Sequence, residues 1–163
     1  MKPARAVGRS LLILNLALTA LVGAAGPAAA DEPALTEARQ VLDIALAQKG
    51  DRWRFAATGP NKFDCSGLVT FAFRETGLLD RIGSKRRTAA GFYNWFNSRG
   101  LADKVEGQPG DLIVWGNNKH IGIYLGDGMA VSTLTNPHGV SVHPVRGYVP
   151  IRLKAFLHVE LER

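Results

Sequence analysis

At 163 residues, with 46% hydrophobic and 21% charged side chains and a single cysteine, the chain can bury one core. That excludes a disordered polypeptide and a small disulfide-stapled scaffold. The formal net charge of +6 has no aromatic-interleaved basic stripe behind it, so nucleic acid is not an expected partner.

The first thirty residues read as a leader. Lys2, Arg5 and Arg9 precede an apolar run from Leu11 to Val22, and Ala28-Ala29-Ala30 offers an A-x-A cleavage site before Asp31. The run is short for a bilayer span, so a cleaved signal peptide is expected over an uncleaved anchor. The expected product is secreted, periplasmic or wall-associated, without lasting membrane insertion. Removing 30 of 163 residues leaves 133, residues 31–163, as a single domain. The three basic residues lost reduce the 20 Lys and Arg to 17, against 14 Asp and Glu, for a net +3. That mild balance fits an anionic envelope and selects no partner. Nothing in the sequence fixes an oligomeric state, and a monomer is expected.

Leu35, Ala38, Val41, Leu42, Ala45 and Leu46 mark one face of a first helix, with Pro33 suited to its first turn and Lys49-Gly50 to its end. Residues 51–62 read as irregular. Asp64 is a good N-cap, and Leu68, Val69, Ala72 and Phe73 recur with helical spacing until Gly77. Cys65 therefore falls in a first helical turn, where free N–H groups and the helix dipole favour a thiolate and can hold an oxyanion. Most free cysteines are small buried hydrophobes. This one follows a Gly/Pro loop, and an exported chain with a lone thiol cannot close an internal disulfide, so a nucleophile is the favoured reading.

The polar stretch 78–87, with Lys85-Arg86-Arg87, reads as a solvated loop. Thr88 can cap a third helix with Ala89, Phe92, Tyr93 and Phe96 on its apolar face and Gly100 at its end. Strands follow at Leu112–Trp115, His120–Leu125, Met129–Leu134, Val140–His143 and Ile151–Val159, separated by Gly, Asn, Asp and Pro turns. Helices first and antiparallel strands second make an α+β domain.

A cysteine nucleophile needs a base held by a third group. His120, His138, His143 and His158 are available. His120 begins a strand, with Gly122 and Tyr124 on its own face and Ile121, Ile123 and Leu125 on the core face, and Gly122 leaves open space beside the ring. Spacing alone puts it only modestly ahead of the others. No HExxH or comparable ligand pair is present, so neither a metal nor a cofactor is expected.

Three blocks, Asp64-Cys65-Ser66-Gly67-Leu68-Val69, Pro109-Gly110-Asp111-Leu112-Ile113-Val114-Trp115 and His120-Ile121-Gly122-Ile123-Tyr124-Leu125-Gly126, resemble the NlpC-type cysteine peptidases in order and spacing. The resemblance covers about residues 35–159. It implies a papain-like fold, with N-terminal helices packed on a C-terminal antiparallel sheet, and a hydrolase of peptidoglycan stem peptides. The implied bond follows D-γ-glutamate and precedes a diamino acid. By position, Cys65 is the nucleophile and His120 the base, while Asp64 and Ser66 support the nucleophile turn and border the substrate. Asp111 is expected to fix its turn, and Arg87 to touch substrate. Two positions depart from the family pattern. Ser132 stands where a third catalytic residue is usually His, sometimes Asn or Gln, and His138 and His143 are substitutes of lower rank. Trp53 stands where a tyrosine usually neighbours the nucleophile.

If the loop at 126–128 has three residues, Ser132 falls opposite Gly122 on the His120 face. A two-residue loop would bring Thr133 and Thr135 there instead. Competing functions are a catalytically weak or inactive peptidoglycan-binding module of the same fold, and an amidase or acyl transferase using the same nucleophile.

Overall fold

The structure, a computed structural model, describes residues 36–148 and 150–163. The leader at 1–30, and Pro33 and Leu35 of the first helix, lie outside the described residues. Helix α1 (Glu37–Ala47) starts at Thr36, whose hydroxyl accepts from the Arg39 amide, and buries Ala38, Val41 and Ala45. Strands β1 (Arg52–Trp53) and β2 (Lys62–Phe63) pair in parallel. Helix α2 (Cys65–Glu75), a 3₁₀ turn (Leu79–Ile82) and helix α3 (Ala89–Asn97) follow, and Thr88 caps α3 by accepting from the Gly91 amide.

The rest is sheet: β3 (Ala102–Asp103), β4 (Leu112–Trp115), β5 (His120–Gly126), β6 (Met129–Leu134), β7 (Gly139–Pro144) and β8 (Leu153–Leu157). Their order is β3-β8-β4-β5-β6-β7, every pair antiparallel. The expected α+β, papain-like layering is present. The two-residue strands are not signalled in the sequence, and Arg52, Trp53 and Lys62, read as irregular, belong to two of them. They are too short to show a period.

Helix α2 is held by packing rather than by propensity. Gly67 inside it costs about 1 kcal/mol relative to alanine. Leu68, Val69 and Phe73 are fully buried against Leu112, Val114, Ile121, Ile123 and Val131, at roughly 1.5 to 3 kcal/mol each. Gly67 is there for space: a Cβ would stand 1.9 Å from the carbonyl oxygen of Ala57. That carbonyl also accepts from the Asp64 amide at 2.9 Å, so the loop after β1 is pressed onto the head of the helix.

The sheet is covered on both faces. Opposite the helices, Ile113, Trp115, Tyr124, Ala130 and Phe156 form a second apolar cluster with Val145. The space expected beside Gly122 is therefore filled: a Cβ there would stand 2.9 Å from the Ser132 Cβ and 3.3 Å from the Trp115 ring.

Asp111, at the start of β4, is buried and accepts from four groups. These are the amides of Gln108 (2.9 Å) and Val159 (3.0 Å), His158 Nδ1 (3.1 Å) and Arg163 Nη2 (2.6 Å). It ties the turn before β4 to the C-terminal segment, which is the turn-fixing role its position suggested.

Candidate active site

A cavity of about 870 Å³ opens where the head of α2 meets the start of β5, and Cys65 and His120 both line it. Cys65 is free and half-buried, the first residue of α2. Asp64 organises the turn that presents it. Its Oδ1 accepts from the Gly67 amide at 2.6 Å and from the Ser66 hydroxyl at 3.0 Å, and its Oδ2 pairs with Arg86 Nη2 at 2.6 Å. With the cap satisfied at Gly67, the amides of Cys65 and Ser66 bear on the sulfur, joined by the Ile121 amide from the first peptide of β5.

The surroundings of the thiol oppose the helix-head contribution. Burial pushes the Cys65 pKa above an ordinary thiol's, and the neighbouring Asp64 charge adds to it, against the three amides that favour thiolate. His120 moves the opposite way: burial, with a smaller contribution from His143, lowers its pKa to about 4. Both shifts favour the neutral forms, a thiol and an uncharged imidazole.

The His120 ring packs on Trp115, with centroids 5.3 Å apart, on the sheet face away from α2. It reaches the cavity because β5 begins at that residue. Its Nε2 lies 2.9 Å from Ser132 Oγ, and among the described residues no hydrogen-bond partner occupies Nδ1.

Ser132 comes into reach through a feature between the two loop lengths considered. Asp127-Gly128 makes a two-residue turn closing Gly126 against Met129, but a bulge between Tyr124 and Gly126 inserts a residue. Beyond it Ile123 pairs with Val131, which carries Ser132 opposite Gly122. Ser132 is fully buried and also lies 2.8 Å from His143 Nε2.

Of the other sequence candidates, Trp53, Asp64 and Ser66 line the cavity. Arg87 does not. Its Nη1 donates to the carbonyls of Ile82, Gly83 and Lys85, and its guanidinium lies 5.4 Å from the Trp95 ring, so it clamps the turn before α3. The basic residues in the wall are Arg86, one position earlier and held by Asp64, and Lys119. His138 lines the far wall, and His158 is engaged by Asp103 and Asp111 away from the cavity. Asn118, missed from sequence, and Thr133, considered there only for a two-residue loop, line the cavity and carry buried oxygens without a hydrogen-bond partner among the described residues. Their turn and strand residue types gave no distinguishing signal.

The sequence model of the NlpC/P60 family matches residues 50–156. The chain belongs to the NlpC/P60 family. A probable endopeptidase of Corynebacterium glutamicum is 30% identical over 125 residues, covering 76% of this chain and 56% of that protein. The peptidoglycan hydrolase RipB of Mycobacterium tuberculosis superimposes with a TM-score of 0.56 at 26% identity, covering 77% of this chain and 63% of that one. The NlpC/p60 domain of the peptidoglycan hydrolase SagA gives a TM-score of 0.58 at 22% identity, covering 74% of this chain and 97% of that domain. The chain spans 56% and 60% of the lengths of two Corynebacterium glutamicum relatives that it matches. As in the structures it superimposes on, the fold is that of an NlpC/P60 domain.

Proposed function

We propose that this NlpC/P60 domain is an exported cysteine endopeptidase that cleaves peptidoglycan stem peptides at the bond between D-γ-glutamate and the diamino acid. The observation that carries the reading is Cys65 and His120 on one cavity, with Ser132 on the Nε2 of the ring and Nδ1 left without a partner among the described residues. Relatives named endopeptidase and peptidoglycan hydrolase support the substrate class. Export rests on the leader pattern at 1–30 alone, and the protein acts as a monomer in the periplasm, in the wall or outside the cell.

Because burial favours the neutral forms of both groups, His120 is a general base. Its Nδ1 takes the thiol proton as Sγ attacks the scissile carbonyl carbon. The helix-head amides face the oxyanion as the carbonyl bond opens. His120 then returns the proton to the departing amine, leaving a thioester on Cys65. Water, deprotonated by the same nitrogen, hydrolyses the thioester and frees the new carboxylate.

Digestion of purified peptidoglycan, read by mass spectrometry of the released muropeptides, tests activity and bond identity together. Cys65→Ala should release nothing while melting as the wild type does. Equal release by that variant overturns the mechanism. The burial that disfavours the charged forms of Cys65 and His120 favours a second reading: a peptidoglycan-binding module without turnover. Wild-type protein that binds intact sacculi and releases no fragments would establish it.

A further inference from the structure

On the sheet face away from α2, polar side chains from three strands form an unbroken line. His120 Nε2 is 2.9 Å from Ser132 Oγ, Ser132 Oγ is 2.8 Å from His143 Nε2, and His143 Nδ1 is 3.0 Å from the carbonyl oxygen of Pro144. The far end sets the direction of the whole line. A carbonyl oxygen only accepts, so His143 Nδ1 carries the hydrogen. In a neutral ring Nε2 then bears a lone pair, and it accepts from the Ser132 hydroxyl. A hydroxyl has one proton to give. Ser132 Oγ can therefore only accept from His120, which must carry its hydrogen on Nε2. The lone pair of His120 is left on Nδ1, the nitrogen with no partner of its own.

We propose that His143 is a positioning residue: acting through Ser132, it holds His120 in the tautomer whose Nδ1 can take the Cys65 proton. The assignment rests on the Cys65–His120 reading above. It gives work to a buried histidine that the mechanism does not otherwise use, and it explains how so short a side chain as Ser132 can stand at the third position.

His143 is built to hold one orientation. It is 1% exposed and lies between Trp115, at 5.8 Å between centroids, and Tyr148, stacked at 5.2 Å with planes 15° apart. Trp115 is itself fixed by donating Nε1–H to the Val145 carbonyl at 2.8 Å. The titratable groups facing His143 are His120, across Ser132, and the Tyr148 phenol. Among the described residues no carboxylate hydrogen-bonds it, and burial keeps it neutral. Neutrality matters to the logic. A protonated His143 would donate to Ser132, turn the hydroxyl toward His120, and leave that ring's hydrogen on Nδ1, where it blocks the transfer. When His120 accepts the thiol proton, its Nε2–H stays in place and Ser132 continues to accept, so no second proton has to move.

The test is a direct reading of tautomers by long-range nitrogen–proton NMR on histidine-labelled protein at pH 7, combined with two variants. In the wild type, His120 should show a protonated Nε2 and a bare Nδ1; the reverse pattern overturns the proposal whether or not the protein digests peptidoglycan. His143→Phe keeps a ring between Trp115 and Tyr148 but removes both nitrogens. It should lower kcat by about 10- to 100-fold with KM unchanged. His143→Gln can return an acceptor at the Nε2 position and should recover most of that loss. Wild-type kcat in His143→Phe, or no recovery in His143→Gln at matched melting temperatures, overturns the assignment. If either variant fails to fold, the wild-type spectrum decides alone. A wild type inactive on every muropeptide would defeat the endopeptidase reading and leave the tautomer result standing.

Discussion

The charge state of the resting thiol separates two mechanisms that share every residue. In a preformed thiolate–imidazolium pair, Cys65 would react with alkylating agents at full rate down to the acid limit of the pair. The structure points elsewhere, since burial raises the Cys65 pKa from its reference of 9.0 and lowers that of His120 to about 4. A thiol at 9.0 is about 1% thiolate at pH 7 by the ordinary titration relation, and a raised one is less. Iodoacetamide should accordingly label Cys65 slowly at pH 5 to 7, the rate rising about tenfold per pH unit with no plateau in that window. kcat/KM on a muropeptide should behave differently, falling only as His120 gains a proton near pH 4 and staying level through neutrality, because the base must be free and the thiol protonated. The assay is the pH profile of alkylation on the wild type beside that of turnover. An alkylation plateau across pH 5 to 7, abolished in His120→Ala, would refute the neutral pair and restore the ion pair suggested by the helix head.

Two further outcomes bear on the scaffold. Asp111→Ala leaves two amides, His158 and Arg163 without their shared acceptor, and should cost about 3 kcal/mol, lowering the melting temperature by on the order of 10 °C; a loss below about 1 kcal/mol would show that the buried carboxylate does not hold the C-terminal segment. Gly122→Ala puts a methyl 2.7 Å from the Val131 carbonyl oxygen and 2.9 Å from Ser132 Cβ, so β5 and β6 must part: kcat should fall and stability drop by about 1 to 3 kcal/mol, and an unchanged melt and kcat would mean the contact relaxes freely.

Much of the architecture was legible because each long element carries its own signal. Asp64 and Thr88 announce helix starts, and Gly/Asn/Asp turns separate apolar runs at strand spacing. Cys65 could be placed at a helix head from its neighbours alone. Its ionisation could not, because that depends on what buries it, and the burying residues come from strands fifty and more residues later. The choice between Arg86 and Arg87 failed for a similar reason. In a loop without a period, adjacent side chains leave in unrelated directions, and the end of the 3₁₀ turn at 79–82 and the residues just after it supply the carbonyls that claim Arg87. The parallel pair at Arg52–Trp53 and Lys62–Phe63 is fixed by its neighbours, not by its own residues: Gly139 lets β7 approach the Asp51 carbonyl so closely that a Cβ would stand 2.2 Å from it.

The third position shows most plainly what a linear reading lacks. Sequence places Ser132 twelve residues after His120, and on its own a serine there looks like a weakened site. Three facts of packing alter that judgement. The bulge after Tyr124 shifts the register so that Ser132, not Thr133, shares the His120 face. Gly122, lacking a Cβ, lets the serine sit close against β5. The β6–β7 register pairs His143 with Ala130, two residues from Ser132 on the same face, so its ring reaches the serine from behind. An imidazole at 132 would have to occupy the space that the His143 ring already fills. The short side chain and the second ring are thus two halves of one arrangement, and neither has a clear meaning without the strand that brings them together.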